Sequence, residues 1–218
     1  MDDSAGNTSS TAGQDPSFED LRAAPRFTLL IRSAKIICAS GEFLCIVRDV
    51  SASGVRLRMF HALPPESQVT LELASGEQFL IDRVWEGGDH AGFRFANAID
   101  VHRFIAEASP YPRRPLRLRI DFPAILTADG VAHPVMVRDL SRQGARIEVD
   151  GLLAVGQKMK LEARGLPTLI GNVCWRSAPS YGVVFQQLFT FAELAVLAAR
   201  LQAPADAPVA DAAPRREA

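Results

Sequence analysis

Apolar residues along this chain fall into short runs separated by Gly, Pro, Asp and Ser, the rhythm of strands and turns. The pattern predicts strands over 28–40, 42–50, 54–60, 67–74, 77–86 and 90–96, with Leu63-Pro64-Pro65 breaking it between the third and fourth. A helical period follows over 99–106, carried by Ile99, Phe104 and Ile105. The whole cycle then repeats at a spacing of 90 residues. Ala34 matches Ala124, Asp49 matches Asp139 and Gly54 matches Gly144. Leu71-Glu72 matches Leu161-Glu162, Trp85 matches Trp175, and Gly92 and Phe95 match Gly182 and Phe185. No insertion or deletion is needed between Ala34 and Phe95. The second cycle closes on residues 189–201, where Phe191, Leu194, Leu197, Ala198 and Leu201 recur at helical spacing. Many short strands with tight turns are what small barrels require. The expectation is a mainly β chain: two tandem six-stranded antiparallel barrels, each followed by a short helix.

The boundaries follow from where the pattern stops. Residues 1–20 are small and polar, and 203–218 are rich in Pro and Ala; neither can bury enough surface to offset its ordering entropy, so both read as disordered tails. The first domain takes 21–108 and the second 117–202. Between them lies a Pro/Arg-rich linker, 109–116, which is semi-rigid and holds the barrels at a restricted angle.

Composition narrows the function classes. Of the 218 residues, 48% are hydrophobic and 22% charged, as in an ordinary soluble protein, and the net charge of −1 gives no general attraction to nucleic acid or anionic membrane. No apolar run is long enough to span a bilayer and no signal-peptide segment is evident, so a cytoplasmic protein without membrane insertion is expected. Cys38, Cys45 and Cys174 lie in apolar runs and read as reduced thiols. Trp85 and Trp175, at one repeat position, read as core. The four histidines show no metal-ligand spacing. Neither a phosphate loop nor a nucleophile elbow is present, so the chain reads as non-catalytic with no cofactor.

The chemistry sits in one repeated turn. Asp49-Val50-Ser51-Ala52-Ser53-Gly54 and Asp139-Leu140-Ser141-Arg142-Gln143-Gly144 share Asp-x-Ser-x-x-Gly between two strands. Such a sequence makes a hairpin turn in which Asp and Ser bond the backbone and Gly takes a positive φ. Upstream of each copy stands an arginine pair, Arg22 and Arg26 before the first, Arg113 and Arg117 before the second, with Arg114 and Arg119 close by. Paired guanidiniums clamp phosphate bidentately or meet the O6/N7 edge of guanine. A carboxylate accepts from guanine amines, and a glycine lets a planar base approach.

Arg-x-x-x-Arg followed by Asp-x-Ser-x-x-Gly resembles the signature of PilZ domains. The runs Val84-Trp85 with Ala91-Gly92-Phe93-Arg94-Phe95 and Cys174-Trp175 with Tyr181-Gly182-Val183-Val184-Phe185 are similar to that family's last two strands. The resemblance implies binding of cyclic di-GMP by Arg113, Arg114, Arg117, Asp139, Ser141 and Gly144 in the second domain. It implies a weaker site at Arg22, Arg26, Asp49, Ser51 and Gly54 in the first. The reading is then of a cytoplasmic receptor that passes the signal to a downstream protein. No DNA or RNA partner is expected, given the net charge and the absence of an evident aromatic platform. On the 90-residue offset the first arginine pair stands one residue out of step with the second. Since one residue reverses side-chain direction in a strand, either a bulge or loop slack absorbs the step or the first site is weak. The alternative reading is an adaptor in which one or both domains bind no nucleotide and act only in protein–protein interaction.

Overall fold

A computed structural model describes residues 27–106 and 115–203, the first four as backbone only. The first half comprises β1 (Phe27–Cys38), β2 (Gly41–Val50), β3 (Gly54–Arg58), β4 (Gln68–Leu73), β5 (Gln78–Gly87), β6 (His90–Phe95) and α1 (Val101–Ala106). The second repeats it as β7 (Arg117–Ala128), β8 (Val131–Ser141), β9 (Gly144–Val149), β10 (Lys158–Glu162), β11 (Leu169–Ser177), β12 (Ser180–Phe185) and α2 (Phe191–Gln202). Each set closes into an antiparallel barrel, β1-β2-β3-β6-β5-β4 and β7-β8-β9-β12-β11-β10. The alternation read from sequence becomes the inside and outside of each barrel. Along β7, Leu118, Ile120, Phe122, Ala124, Leu126 and Ala128 point inward, with exposed residues between most of them. The expected tails (apart from Ala203), the two arginines Arg22 and Arg26, and Arg113 and Arg114 of the linker lie outside the described residues. Among those described, no helix is long and apolar enough to cross a membrane.

The one-residue step between the repeats has a structural origin. In β1 the pairing with β2 jumps from Thr28↔Asp49 to Arg32↔Val47, leaving Leu29, Leu30 and Ile31 opposite Arg48 alone. In β7 it jumps from Arg119↔Asp139 to Phe122↔Val137, leaving only Ile120 and Asp121 opposite Arg138. The bulge in β1 is therefore one residue larger. Upstream of it Thr28 answers to Arg119 and Phe27 to Leu118, so by residue count Arg26 precedes Phe27 as Arg117 precedes Leu118. Counted along the sequence, the extra residue of the bulge accounts for the one-residue step between Arg26 and Arg117.

Helix α2 packs between the barrels. Its N-terminus is closed by a capping box, with the Thr190 hydroxyl accepting from the Glu193 amide and the Glu193 carboxylate accepting from the Thr190 amide. Leu194, Ala195 and Ala198 complete the second core, while Ala199 packs against the first. The first barrel sends Leu44, 1% exposed, into the second core, and Phe60 meets Phe191 edge-on with centroids 5.7 Å apart. At its C-terminal end, Gln202 accepts from the Glu42 amide at 2.8 Å and donates to the Glu42 carbonyl at 2.9 Å.

The tryptophans depart from expectation. Trp85 and Trp175 are 47% and 41% exposed. Each indole lies over a glycine of the neighbouring strand, Gly92 or Gly182, where a Cβ would come 2.0 Å from Nε1. They seat on the barrel exterior because a register break at Val173/Trp175, and its equivalent at Arg83/Trp85, turns the side chain outward. The cysteines also differ in placement: all three are free, but only Cys45 is buried and Cys174 is exposed.

Candidate functional site

The two Asp-x-Ser-x-x-Gly turns connect β2 to β3 and β8 to β9. The serines hold the turns together. Ser141 Oγ donates to the Gly144 carbonyl at 3.0 Å, and Ser51 Oγ accepts from the Gly54 amide at 3.2 Å. Ser51 and Ser141 are 7% and 1% exposed, so their hydroxyls face the protein. Neither glycine has a positive φ. A Cβ on Gly144 would stand 2.1 Å from the Val183 carbonyl oxygen, and one on Gly54 would stand 2.9 Å from that of Phe93. The expected positive φ is absent, and the structure gives the glycine another reason. β3 and β9 must approach β6 and β12 closely at the point where each turn ends.

What each turn offers outward is its aspartate. In the second barrel Asp139 is mostly buried and holds two guanidiniums, one on each oxygen. Arg117 Nη1 lies 2.7 Å from Oδ1 and Arg146 Nε lies 3.1 Å from Oδ2. The two arginine side chains are 54% and 44% exposed, so the carboxylate anchors the cations while their remaining donors face solvent. The cluster carries one net positive charge, in forks suited to phosphate or to a guanine edge. The same cross-hairpin pair exists in the first barrel, where Arg56 Nε binds Asp49 Oδ2. Asp49 Oδ1 is buried and has no hydrogen-bond partner among the described residues. It is the oxygen equivalent to the one that holds Arg117.

Of the eleven residues expected to form sites, the structure thus brings together Arg117, Asp139, Ser141 and Gly144, and separately Asp49, Ser51 and Gly54. Arg56 and Arg146 were not anticipated. Two signals pointed to them: they share one repeat position, and each lies directly opposite its aspartate across the hairpin, as Asp49↔Arg56 and Asp139↔Arg146.

The second turn is also tied into the rest of the fold. The Phe189 amide donates to the Arg142 carbonyl at 3.1 Å and Arg142 Nε donates to the Phe189 carbonyl at 2.8 Å, fastening the turn to the lead-in of α2. In the first barrel the backbone bond persists, Ile99 amide to Ala52 carbonyl at 2.9 Å, but alanine offers no second one. A cleft of about 380 Å³ opens between the barrels beside Arg142 and Gln143, its other walls including Arg32, Leu44, Leu116 and Phe191. It adjoins the second turn only.

Comparison with known families and structures follows the repeat. The PilZ domain family matches residues 20–106 and, a second time, 111–198. Solved structures similar to the chain include the PlzA protein of Borreliella burgdorferi in complex with c-di-GMP, at 12% identity and TM-score 0.34 over 80% of this chain and 88% of that one. The inhibitor of motility MotI/DgrA of Bacillus subtilis matches at 12% identity and TM-score 0.34, over 79% and 96%. YcgR of Escherichia coli in complex with c-di-GMP matches at 11% identity and TM-score 0.28, over 78% and 82%. Among curated proteins, none matches in sequence.

Proposed function

The chain belongs to the PilZ domain family, carrying the domain twice, and on that premise we propose that it is a non-catalytic receptor for cyclic di-GMP. The observation that carries this reading is the arrangement at Asp139, where one sheltered carboxylate splays two half-exposed guanidiniums, one of them from the Arg-x-x-x-Arg motif. In this reading Arg117 and Arg146 grip the phosphates and the guanine Hoogsteen edge, with Arg113 and Arg114 of the linker closing over the ligand. Ser141 and Gly144 keep the turn in shape. In the first barrel Arg26 takes the part of Arg117 toward Asp49, and Arg22 that of Arg113. The larger bulge supports this, since its extra residue accounts for the one-residue offset of Arg26 from Arg117 along the sequence.

The ligand relays its presence by changing how the barrels sit. Arg113 and Arg114 are linker residues, and the second turn is bonded through Arg142 and Phe189 to α2, which packs on the first barrel. A ligand shifts such an equilibrium only by its differential affinity for the two arrangements. Each charge-assisted hydrogen bond contributes about 1.5–3 kcal/mol, so a few suffice. The altered pose is then read by a downstream protein in the cytoplasm, with no part for DNA or RNA.

Calorimetric titration with cyclic di-GMP tests the reading. Wild type is expected to bind at on the order of tens of micromolar or tighter, and Asp139→Ala to lose about tenfold or more at the second site. Absence of binding by wild type overturns it and leaves a protein-interaction adaptor. Scattering with and without ligand tests the relay, and binding without a change of shape overturns that part alone.

A further inference from the structure

Arg117 stands at the first residue of β7, where only one edge of the strand is paired by its own barrel. β8 runs along one side, from Arg117↔Ser141 onward, but β10 reaches only Ile125–Thr127 on the other. The outer edge at Arg117–Arg119 is instead satisfied by two side chains of the first barrel. Lys35 Nζ donates to the Arg117 carbonyl at 3.2 Å, and Glu42 Oε2 accepts from the Arg119 amide at 3.0 Å. Together they supply one donor and one acceptor two residues apart, as a neighbouring strand would. The pair is itself locked: Lys35 binds Glu42 at 2.9 Å and Glu72 at 3.1 Å, and both Lys35 and Glu42 are buried. Gln202 returns the arrangement by bonding the Glu42 backbone, on an edge of β2 where β3 pairs only from Ile46 onward.

We infer that Lys35 and Glu42 are positioning residues for the ligand site of the other barrel. They fix the backbone on both sides of the fully buried Leu118, and so fix the point from which Arg117 reaches Asp139. They are not a requirement of the barrel fold, because their repeat counterparts in the second barrel are Ile125 and Ala132. Docking of the first barrel therefore arms the second site, and by linkage a ligand held by Arg117 strengthens the docking. The inference rests on the receptor reading above for its ligand, but not for its geometry.

Removing Lys35 alone would strand buried carboxylates and endanger folding, so the variant of choice is Lys35→Met with Glu42→Leu, which removes the pair while filling its space. Two measurements are made on the full chain. In ligand-free protein the Arg119 amide is expected to exchange with solvent about tenfold or more faster in the double variant, while amides of β8 and β9 keep their protection. In an Asp49→Ala background, which leaves only the second turn to be read, cyclic di-GMP affinity is expected to fall roughly 5- to 150-fold. Glu42→Gln, which keeps an oxygen for the Arg119 amide, is expected to stay within a few-fold of wild type. Unchanged Arg119 exchange overturns the positioning role. Faster exchange with unchanged affinity overturns its link to the site. If wild type binds no ligand, the receptor reading falls and the link with it, while the exchange measurement still decides whether the pair orders β7.

Discussion

The two barrels carry the same turn, each closed by a bond between its serine and its glycine and crossed by the same Asp–Arg pair, yet they differ in how much of the molecule leans on that turn. The second turn is bonded to the lead-in of α2 by side chain and backbone and borders the inter-barrel cleft. Its Arg117 backbone is gripped from the first barrel. The first turn has the backbone bond alone. The repeat supplies two copies of the turn, and the fold has wired one of them to the inter-barrel contact. The same motif is thus a local fixture in one place and part of a joint in the other.

The comparison can be broken first at the glycines. Gly144→Ala drives a Cβ to 2.1 Å from a backbone oxygen, whereas Gly54→Ala meets its oxygen at 2.9 Å. The first is expected to exceed the ~3 kcal/mol upper end of ordinary overpacking and the second to fall within about 1–3 kcal/mol. Chemical denaturation measures both, and equal costs would show that the two hairpins are not packed differently. Next come the arginines. Arg117→Ala is expected to lose about 1.5–3 kcal/mol of ligand binding at the second site. If the bulge has restored the register, Arg26→Ala costs the first site as much, and a negligible loss there would make the first barrel an adaptor.

The smallest effect is acid sensitivity confined to the first barrel. Burial lowers the pKa of His61, whose ring lies 5.0 Å from that of Phe43, while the hydrogen bond to the Ala62 carbonyl partly opposes the shift. The unfolded chain therefore takes up this proton at a higher pH than the folded one. The histidine's contribution is intact above the ordinary value near 6.5 and is lost as pH falls from there through the lowered folded value. The second barrel has Gly151 at this position. A melt repeated from pH 7.5 to 5 should show the first barrel losing more stability, and His61→Gln should shrink the difference.

Much of this architecture was legible before any coordinates. Strand alternation and a 90-residue repeat sufficed for twelve strands and two helices, because each buried face had to recur at period two or at helical spacing. The arginine step looked like a defect because a bulge leaves no mark in composition: Leu29, Leu30 and Ile31 read as an uninterrupted strand. The tryptophans read as core because they share one repeat position in apolar strands, although Gly92 and Gly182 signal an indole laid over bare backbone. Lys35 and Glu42 were invisible for a different reason. In sequence they look like solvated charges on a strand exterior, whereas in the folded chain both are buried and bonded to the second barrel's β7.

The seating of the tryptophans gives the chain a pair of matched optical reporters. It has two tryptophans, one per barrel at the same repeat position, each half-open to water above a glycine. Wild-type fluorescence therefore sums two nearly identical signals and hides which barrel melts first. Trp85→Phe leaves an indole that speaks for the second barrel alone, and Trp175→Phe one for the first, so the order in which the halves come apart becomes a matter of colour.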